Sequence, residues 1–576
     1  MEKRLHRYFV VVFCFLLCCG SGLTAAAQSM NMEDYTSFKG KKPLRLNGGV
    51  SAVGTWYDAS EMFGRQPYTW QLNGNLNFNI YGLIDIPLSF GLNNFGSQYT
   101  YPSLPNRLSI HPRYKWITAH IGDVAMTFSP YTLNGHMFTG GGVELTPGKW
   151  NIAAMGGRLM RGVGYNPAVP SIPPTYERWG EGAKVRYNGS KFFAGGSFFT
   201  AKDTYKTVSF QADSMGIFPK SNVAASVEGG VNITSNLKLS AEYAISMLNR
   251  DTRPVVTAES DGEATTQKTA TDYYHAIRAS LDYTFWKNTI GIGYERIDPG
   301  YETLGAYYFN NDYENITASY ARPLFGGKVN IALTGGFQRD DLDGSKNADN
   351  IRVVGSANVS YTPTDKVNMS LSYSTFQGYR LIKSQFDYIN QTTPYENLDT
   401  LNFTQISHNL DFNFNWTFQS NESITQGVMF FTSYQEAADR QGGYILPGNL
   451  SRFLNASTAY TLEVAAIDTG FNLGVNVSNN YSNQTNFLTL GPMLAATVKL
   501  LKKKLVTGAS VSWNRSAQET IPVADVLNCR WNASMRIAKK HSLQASAMYQ
   551  HQKRTAQLVT KKTYSTTAQL GYSYSF

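Results

Sequence analysis

Six charged residues stand at alternating positions among apolar ones, and they are the side chains that could select ions or solutes in a pore. They are Lys238, Glu242, Arg278, Asp282, Arg530 and Arg536. In an extended strand, each charge would point to one face and its apolar neighbours to the other. Charges that line a hydrated passage set its selectivity. The alternative is that they form ion pairs that fill the passage.

Three histidines lie near a serine and an aspartate, which raises the alternative of a membrane-embedded hydrolase. The residues are His111, His120 and His136, with Ser129 and Asp123 between them. A histidine can activate a serine nucleophile when the two side chains are within hydrogen-bond reach. The spacing matches no catalytic or metal-binding motif. We therefore expect polar lumen and loop residues here, with no enzyme activity, metal or cofactor.

The sequence around the charges alternates between apolar and polar residues along many short stretches. Residues 277–285, 367–374 and 410–418 are examples in which every second side chain is apolar. A period of two places alternate side chains on opposite faces of a β-strand. No apolar run of about 18 residues follows residue 28. The pattern therefore favours strands over membrane-spanning helices.

Short turns alternate with long polar connections along the chain. The long connections are predicted at 160–180, 202–220, 249–272, 339–350, 379–404 and 435–452. Antiparallel strands with short turns at one end and long loops at the other are typical of transmembrane barrels. We predict an all-β fold: a single large antiparallel transmembrane β-barrel of about 26 strands, with about 22–28 plausible. A secreted soluble β-protein is the alternative.

The N-terminal residues have the features of a secretory signal peptide. A basic start with Lys3, Arg4 and Arg7 precedes a short apolar run, and Ala25–Ala27 offers a cleavage site. We therefore expect residues 1–27 to be a cleaved signal peptide and residues 28–43 a short periplasmic segment. Residues 44–576 would form the barrel with long extracellular loops. Because only about 16 residues would separate the cleavage site from the first strand, we expect no N-terminal plug domain.

The C-terminal residues form a strand with two different faces. Leu570, Tyr572, Tyr574 and Phe576 alternate with small or polar residues. This ending resembles the assembly signal that the barrel-assembly machinery recognises in outer-membrane proteins. The resemblance implies export to the periplasm and insertion into a Gram-negative outer membrane. We also expect this strand to close the barrel by pairing with the first strand, near residues 44–57.

Four segments resemble a poorly characterised family of porin-like outer-membrane barrels of the Bacteroidota. They are residues 113–122, 128–136, 140–150 and 298–312. The resemblance implies an outer-membrane location and a barrel fold. It supplies no substrate and no functional residues.

The sequence thus predicts a passive or weakly selective porin-like channel for small polar solutes. The alternative is a barrel that serves as a scaffold or conduit for a surface lipoprotein or a secretion partner, and an outer-membrane hydrolase is a remote third. Expected partners are outer-membrane lipid, the barrel-assembly machinery and a possible surface or periplasmic protein. Nucleic acid is not expected, because the basic residues form no long run. Loop 379–404, which carries Tyr379, Phe386, Tyr388 and Tyr395, is a candidate constriction.

Overall fold

The computed structural model describes most of the chain from residue 43 onward. The described residues are 43–61, 66–94, 106–167, 174–204, 215–253, 255–258, 264–267, 271–344, 351–375, 380–382, 401–403, 408–437, 440–441, 444–445, 450–482, 484–556 and 559–576. The predicted signal peptide, the segment after it up to residue 42, and most of loop 379–404 lie outside them. In the described parts, no helix is long and apolar enough to cross a membrane.

Twenty-six strands form one antiparallel sheet, which confirms the predicted number. The fourth strand is counted as one although it is interrupted at Pro112, which has no N–H to donate to the ladder. The strands are β1 (Leu44–Ala59), β2 (Tyr68–Ile80), β3 (Ile84–Asn93), β4 (Arg107–Ile110 and Arg113–Tyr114), β5 (Ile117–Thr127), β6 (Asn134–Leu145), β7 (Trp150–Met160), β8 (Glu177–Asn188), β9 (Phe192–Thr204), β10 (Ser221–Asn232), β11 (Leu237–Asn249), β12 (Asp272–Phe285), β13 (Asn288–Ile297), β14 (Tyr313–Leu324), β15 (Val329–Arg339), β16 (Ile351–Thr364), β17 (Val367–Ser374), β18 (His408–Ser420), β19 (Ile424–Ala437), β20 (Ser451–Val464), β21 (Thr469–Ser482), β22 (Thr485–Leu500), β23 (Leu505–Gln518), β24 (Ile521–Ala538), β25 (His541–Ala556) and β26 (Val559–Ser575).

The sheet closes on itself because the last strand pairs with the first. Each strand pairs with the next one in sequence, and β26 pairs antiparallel with β1 from Gly49–Ser575 to Ala59–Ser565. The Phe576 N–H also donates to the Gly48 carbonyl at 2.9 Å. The predicted closure near residues 44–57 is confirmed. Closure leaves no free sheet edge, so the strand backbones satisfy one another.

The two faces of the wall differ in the way the alternation predicts. On β12, the side chains of Tyr273, Ile277 and Tyr283 are exposed on the outer face, whereas Ala276 is buried on the inner face. On β26, Leu570 and Tyr572 are exposed on the outer face, next to Tyr574 and Phe576. Their neighbours on the inner face are Ser, Thr, Gln and Gly. Exposed apolar residues thus cover the outside, and the inside is polar over most of the circumference.

The connections are short at one end of the barrel and long at the other. Short turns such as 146–149, 233–236 and 501–504 join strand pairs at the short-turn end. The connections at the opposite end, the long-loop end, include the 22 residues between β11 and β12. Strands β21–β26 depart from this pattern, since short turns join them at both ends. These strands are 14–18 residues long and form a tall, loop-free section of wall.

Three small hairpins outside the barrel sheet lie within the long connections. They are Val255–Ala258 with Ala264–Gln267, Arg380–Ile382 with Leu401–Phe403, and Arg440–Gln441 with Tyr444–Ile445. Each has its own pairing and none joins the barrel wall. Three of the predicted long connections therefore contain short strands in their described parts.

The β1–β26 seam can be tested with a disulfide. Gly571 stands opposite Val53, and a Cβ atom built on Gly571 would lie 3.4 Å from Val53 Cγ2. We expect Val53→Cys with Gly571→Cys, in a Cys529→Ser background, to form a cross-link that changes mobility on a non-reducing gel. This spacing suits disulfide geometry. The control pairs Val53→Cys with Gln569→Cys, two residues out of register, and should cross-link weakly. Equal cross-linking of both pairs would contradict the register.

Candidate functional site

Two connections at the long-loop end fold inward and line one side of the lumen. The first, interior loop A, is residues 128–133 between β5 and β6. The second, interior loop B, is residues 298–312 between β13 and β14. Both fall within segments that carry the resemblance described above. The chemistry of the lumen on this side depends on what these loops contact.

Interior loop A crosses the inside of the barrel rather than its outside. The Ser129 hydroxyl donates to Glu242 on β11, six strands away from β5, and the Tyr131 hydroxyl donates to Glu295 on β13 at 2.7 Å. Outer-face residues of the same strands, such as Tyr243 and Ile292, remain exposed. A six-residue loop can reach strands so far around a closed wall only through its interior. Interior loop A therefore occupies part of the lumen.

Interior loop B lies against loop A and completes its hydrogen bonds. The Tyr301 hydroxyl donates to the Tyr131 carbonyl at 2.8 Å, and the Thr303 hydroxyl donates to the Thr132 carbonyl at 2.6 Å. The Asn134 N–H donates to the Gly305 carbonyl at 2.8 Å. Because a buried carbonyl without a donor is costly, these bonds make each loop a structural requirement for the other.

One buried amide fastens interior loop B to the wall, and a hydroxyl pair fastens interior loop A. Asn222, at the start of β10, donates to the Ser246 hydroxyl at 2.7 Å and accepts from the Leu304 N–H at 3.2 Å. The Ser246 hydroxyl in turn donates to the Glu302 carbonyl at 2.7 Å. Nearby, the hydroxyls of Thr132 and Ser197 lie 2.8 Å apart. Loop and wall thus form one continuous polar network with almost no solvent contact.

Apolar side chains fill the space between the interior loops and the wall. One cluster joins Phe128, Leu133 and Leu304 of the loops to apolar residues on the inner faces of β5–β9, among them Phe138 and Phe199. Burying each such side chain contributes about 1.5–3 kcal/mol. The inner face of β5–β9 is therefore apolar where the loops cover it. The inner face is largely polar elsewhere in the barrel, and these apolar side chains provide the core against which the loops fold.

A second cluster is aromatic and stands beside the charged residues. Tyr301 stacks on Phe309 with ring centroids 5.0 Å apart, and Tyr131 meets Tyr301 edge-to-face at 6.4 Å. Burial raises the pKa of the Tyr131 and Tyr301 phenols, and the neighbouring Glu295 and Glu242 carboxylates add to the rise. Both phenols therefore keep their protons at neutral pH and remain donors.

The inner faces of β10–β13 carry a row of charges directly below these loops. Glu228, Glu242, Arg278 and Glu295 are consecutive cross-strand neighbours. Two adjacent glutamates would repel each other, so each needs its own partners. We call this row, together with the two partners of Glu228 on β8, the charged band.

Partners on both sides neutralise the acidic residues of the charged band. Glu228 lies 3.3 Å from Lys184 Nζ and 3.0 Å from an Arg186 guanidinium nitrogen, both on β8. Glu242 receives the Ser129 hydroxyl and faces Arg278 across the strands. The charges predicted at 242 and 278 thus lie in one band with a loop bound to it. Because these charged residues are paired, they stabilise the inner wall and also determine the electrostatic potential at its surface.

The structure places the other predicted lumen residues apart from the interior loops. Lys238 and Asp282 are directly opposite each other nearer the short-turn end, and Lys238 Nζ lies 6.0 Å from the Phe193 ring centroid. Arg530 and Arg536 are on the inner face of β24, far around the wall. Their outer-face neighbour Cys529 is half-buried beside Leu527 and Trp531.

The histidines and the serine do not assemble into a hydrolase site. The Nδ1 atoms of His111 and His120 lie 2.8 Å apart, so these two imidazoles pair with each other. His136 stacks on Tyr307 and its Nδ1 contacts the Met137 carbonyl. Ser129 has Glu242 and the Tyr131 N–H as partners. Within the described residues, no group of three His, Cys, Asp or Glu side chains could hold a metal ion.

The interior loops are what the sequence reasoning missed. The candidate constriction was loop 379–404, whose described parts are only short strands. A usable signal was present in residues 298–312, where Tyr301, Tyr307, Tyr308 and Phe309 occur in a connection without strand alternation. A polar surface loop does not need so many large side chains. In the structure Tyr301 is buried and Tyr307 and Phe309 are half-buried inside the barrel, whereas Tyr308 remains exposed.

Comparisons with known proteins give similarities of overall shape only. No family model matches the chain, and no curated protein matches it. Among solved structures, a ferric enterobactin receptor mutant of Pseudomonas aeruginosa is 10% identical, with a TM-score of 0.42 over 92% of this chain and 80% of that chain. The P pilus usher translocation pore is also 10% identical, with a TM-score of 0.39 over 92% of this chain and 100% of that chain.

A siderophore receptor of Acinetobacter baumannii is 9% identical, with a TM-score of 0.36 over 92% of this chain and 80% of that chain. Similarity at this level assigns no function to the chain. The closed barrel is established by its own strand pairing.

The hydrogen bond between the interior loops can be tested with Tyr301→Phe. This change removes the donor to the Tyr131 carbonyl and leaves that buried oxygen unsatisfied, so we expect a loss of about 1–3 kcal/mol of unfolding free energy. Limited proteolysis should cut within residues 128–133 or 298–312 faster than in the parent protein. The matched control is Tyr165→Phe, at an exposed tyrosine of the β7–β8 connection. Equal effects of the two changes would contradict the assigned role of Tyr301.

Proposed function

We propose that the protein is an outer-membrane channel that admits small polar solutes through a lumen narrowed by its interior loops. The observation that carries this proposal is the closed wall with an exposed apolar outer face and a largely polar inner face. A soluble protein does not cover a closed barrel with exposed large apolar residues, because each exposed patch would promote aggregation. Lipid on the outside and water on the inside account for both faces.

The height of the outer apolar belt supports a membrane location. On β12, Tyr273 and Tyr283 are ten residues apart on the outer face and enclose Ile277 and Leu281. Ten residues span about 33 Å along a strand, or about 25 Å of height at a tilt of about 40°. An apolar band about 25 Å tall between aromatic girdles is what an outer membrane requires.

Aromatic residues also stand at both edges of the belt on other strands. Trp150, Phe192 and Trp286 are exposed at the short-turn end, and Trp56 and Trp179 are exposed toward the long-loop end. Amphipathic rings favour the interface between lipid and water. By analogy with bacterial barrels, the short-turn end would be periplasmic and the long-loop end extracellular.

The lumen would conduct along the part of the wall that the interior loops leave uncovered. Loops A and B cover the inner faces of β5–β13, where the charged band supports them. The inner faces of β21–β26 carry mainly Ser, Asn, Gln and Thr, which suit a water-filled passage. A wall of 26 strands encloses a wide lumen, so partial filling from one side leaves space on the other. Passage through it requires no covalent chemistry.

A second function, as a scaffold for a membrane partner, is favoured by one residue on the outer face. Glu181 of β8 is exposed between Trp179 and Ala183, and within the described chain no ion-pair partner is present for it. A carboxylate that faces lipid is costly, and such residues usually mark a functional contact. A protein partner seated on β8 would shield Glu181 from lipid. The same surface exists whether or not the lumen conducts.

Conductance measurements separate these functions and test the lumen charges. In a planar bilayer with a tenfold salt gradient, we expect discrete conductance steps from the parent protein. Arg530→Glu should shift the reversal potential toward cation selectivity by several millivolts or more, because a charge in a pore changes the local ion concentrations. The matched control is Lys562→Glu, which makes the same charge change on the outer face near the long-loop end and should leave the reversal potential unchanged.

Two outcomes would contradict the channel. A silent bilayer together with a stoichiometric complex after gentle detergent extraction would favour the scaffold. Conductance with the same reversal potential in the parent and in Arg530→Glu would show that current does not pass along β24.

A further inference from the structure

The positive charge of the protein is concentrated in its last six strands. The chain has 51 Lys and Arg residues and 41 Asp and Glu residues, and 13 of the former but only two of the latter follow Asp468. The preceding residues carry the remaining 38 basic and 39 acidic side chains and are nearly neutral. The net charge of the whole protein therefore belongs to β21–β26 and their turns.

No acidic side chain stands on the inner face of these strands. Of the two acids after Asp468, Asp525 points outward on β24 and pairs with Arg515 at 2.8 Å, and Glu519 lies in the β23–β24 turn at the long-loop end. The inner face carries the cations Lys499, Arg530, Arg536, Arg554 and Lys561, of which Lys561 pairs with Glu61 of the β1–β2 connection. This differs from the charged band of β8–β13, where each acid has a basic or hydroxyl partner.

The cations are densest at the short-turn mouth, in two neighbouring turns. A cavity there is lined by Lys503 and Lys504 of the β22–β23 turn, Arg536 at the end of β24, and Lys539 and Lys540 of the β24–β25 turn. The hydroxyls of Ser534, Ser542 and Ser575, together with Val506 and His541, complete its lining. His541 stands opposite Tyr574 on the outer face, but the other strand residues of the lining belong to inner faces, so the cavity faces mainly toward the lumen. We call the five cations and the three serines the mouth cluster.

Backbone contacts hold the two turns in place. The Arg536 N–H donates to the Lys504 carbonyl at 2.8 Å, and the Ser575 N–H donates to the Lys540 carbonyl at 2.8 Å. In the first turn, Leu501, Lys502 and Lys503 all have positive φ, between 52° and 67°. Three successive non-glycine residues in the left-handed region are costly. Such residues are common in tight hairpin turns, and here they fix the direction in which the turn presents its lysines.

The electrostatics of the mouth cluster require a counter-charge. Among the described residues, one ion pair involves these five cations, in which Lys503 Nζ lies 3.2 Å from Asp468. Like charges on adjacent turns repel one another, and a bound anion relieves that repulsion. Lysine and arginine nitrogens with serine hydroxyls are all donors, and together they match the oxygens of phosphate or carboxylate groups.

We propose that the mouth cluster is a binding site for a small soluble polyanion, one that carries several phosphate or carboxylate groups. The proposal deepens the channel function by naming a solute class, and it rests on that function only for what happens to the anion afterwards. Arg536 and Arg530, six residues apart on the inner face of β24, would extend the attraction from the mouth into the lumen. The inward direction of the lining favours a soluble anion over the phosphate headgroups of lipids, which contact the outer face.

Equilibrium binding tests this site without requiring conduction. The probe is inorganic tripolyphosphate, titrated by calorimetry into the full-length protein in a neutral detergent at low salt. We expect saturable binding near one equivalent, weakened at least tenfold by Lys504→Gln with Lys540→Gln. The matched control is Lys553→Gln with Lys562→Gln, which removes two outer-face lysines near the long-loop end and should bind as the parent does. Folding of each variant is checked by heat-modifiable gel mobility.

Three results would overturn the site. They are no binding of tripolyphosphate by the parent, an equal loss in both double variants, and capture of phosphatidylglycerol nanodiscs by the mouth lysines without binding of the soluble probe. The last result would assign the cluster to lipid headgroups. This assay measures no current, so it tests the anion site independently of the channel. If the protein binds tripolyphosphate but gives no conductance in a bilayer, the anion site is supported and the channel function is refuted. If the protein conducts but does not bind tripolyphosphate, the channel function is supported and the anion site is refuted.

Discussion

The structure depends first on the pairing of β26 with β1. Every other strand pairs with neighbours in sequence, but this contact joins the two ends of the barrel and removes the last free edge. In hydrocarbon an unpaired N–H or carbonyl costs several kcal/mol, so an open sheet of this size could not be stable there. With the seam closed, the outer apolar face can meet lipid, and the inner face becomes a separate compartment whose chemistry is free to vary around the circumference.

That inner compartment has two contrasting sides. On β5–β9 the inner face is apolar where interior loops A and B cover it, and on β8–β13 the charged band pairs its acids with bases or hydroxyls. On β21–β26 the described residues form no inward loop and carry no inward acid, and a row of cations begins at the mouth cluster. Filling one side makes a wide barrel rigid and narrow, whereas the cationic side is left accessible to water. Under the proposed channel function, selectivity and stability would belong to different parts of the same wall.

The sequence predicted the barrel well because its signals are local. Strict alternation, short turns and the two-faced C-terminal strand each depend on neighbouring residues, so they indicate strand number, closure and face. The inward orientation of Glu242 and Arg278 followed from the same alternation of side chains along a strand. The alternation could not predict the contact of Ser129 with Glu242, or that of Tyr301 with the Tyr131 carbonyl. Those contacts join residues more than a hundred positions apart and depend on how a loop folds across a closed barrel.

The central claim is that one wall separates lipid from a hydrated lumen, and substituted cysteines along β24 test it most directly. In a Cys529→Ser background, single cysteines replace Asn532 or Ser534 on the inner face and Ala533 or Met535 on the outer face. In outer-membrane vesicles, a charged, water-soluble maleimide should label the cysteines at 532 and 534 and spare those at 533 and 535. All four should react once the protein is denatured. Uniform labelling, or labelling at 533 and 535 alone, would contradict the account.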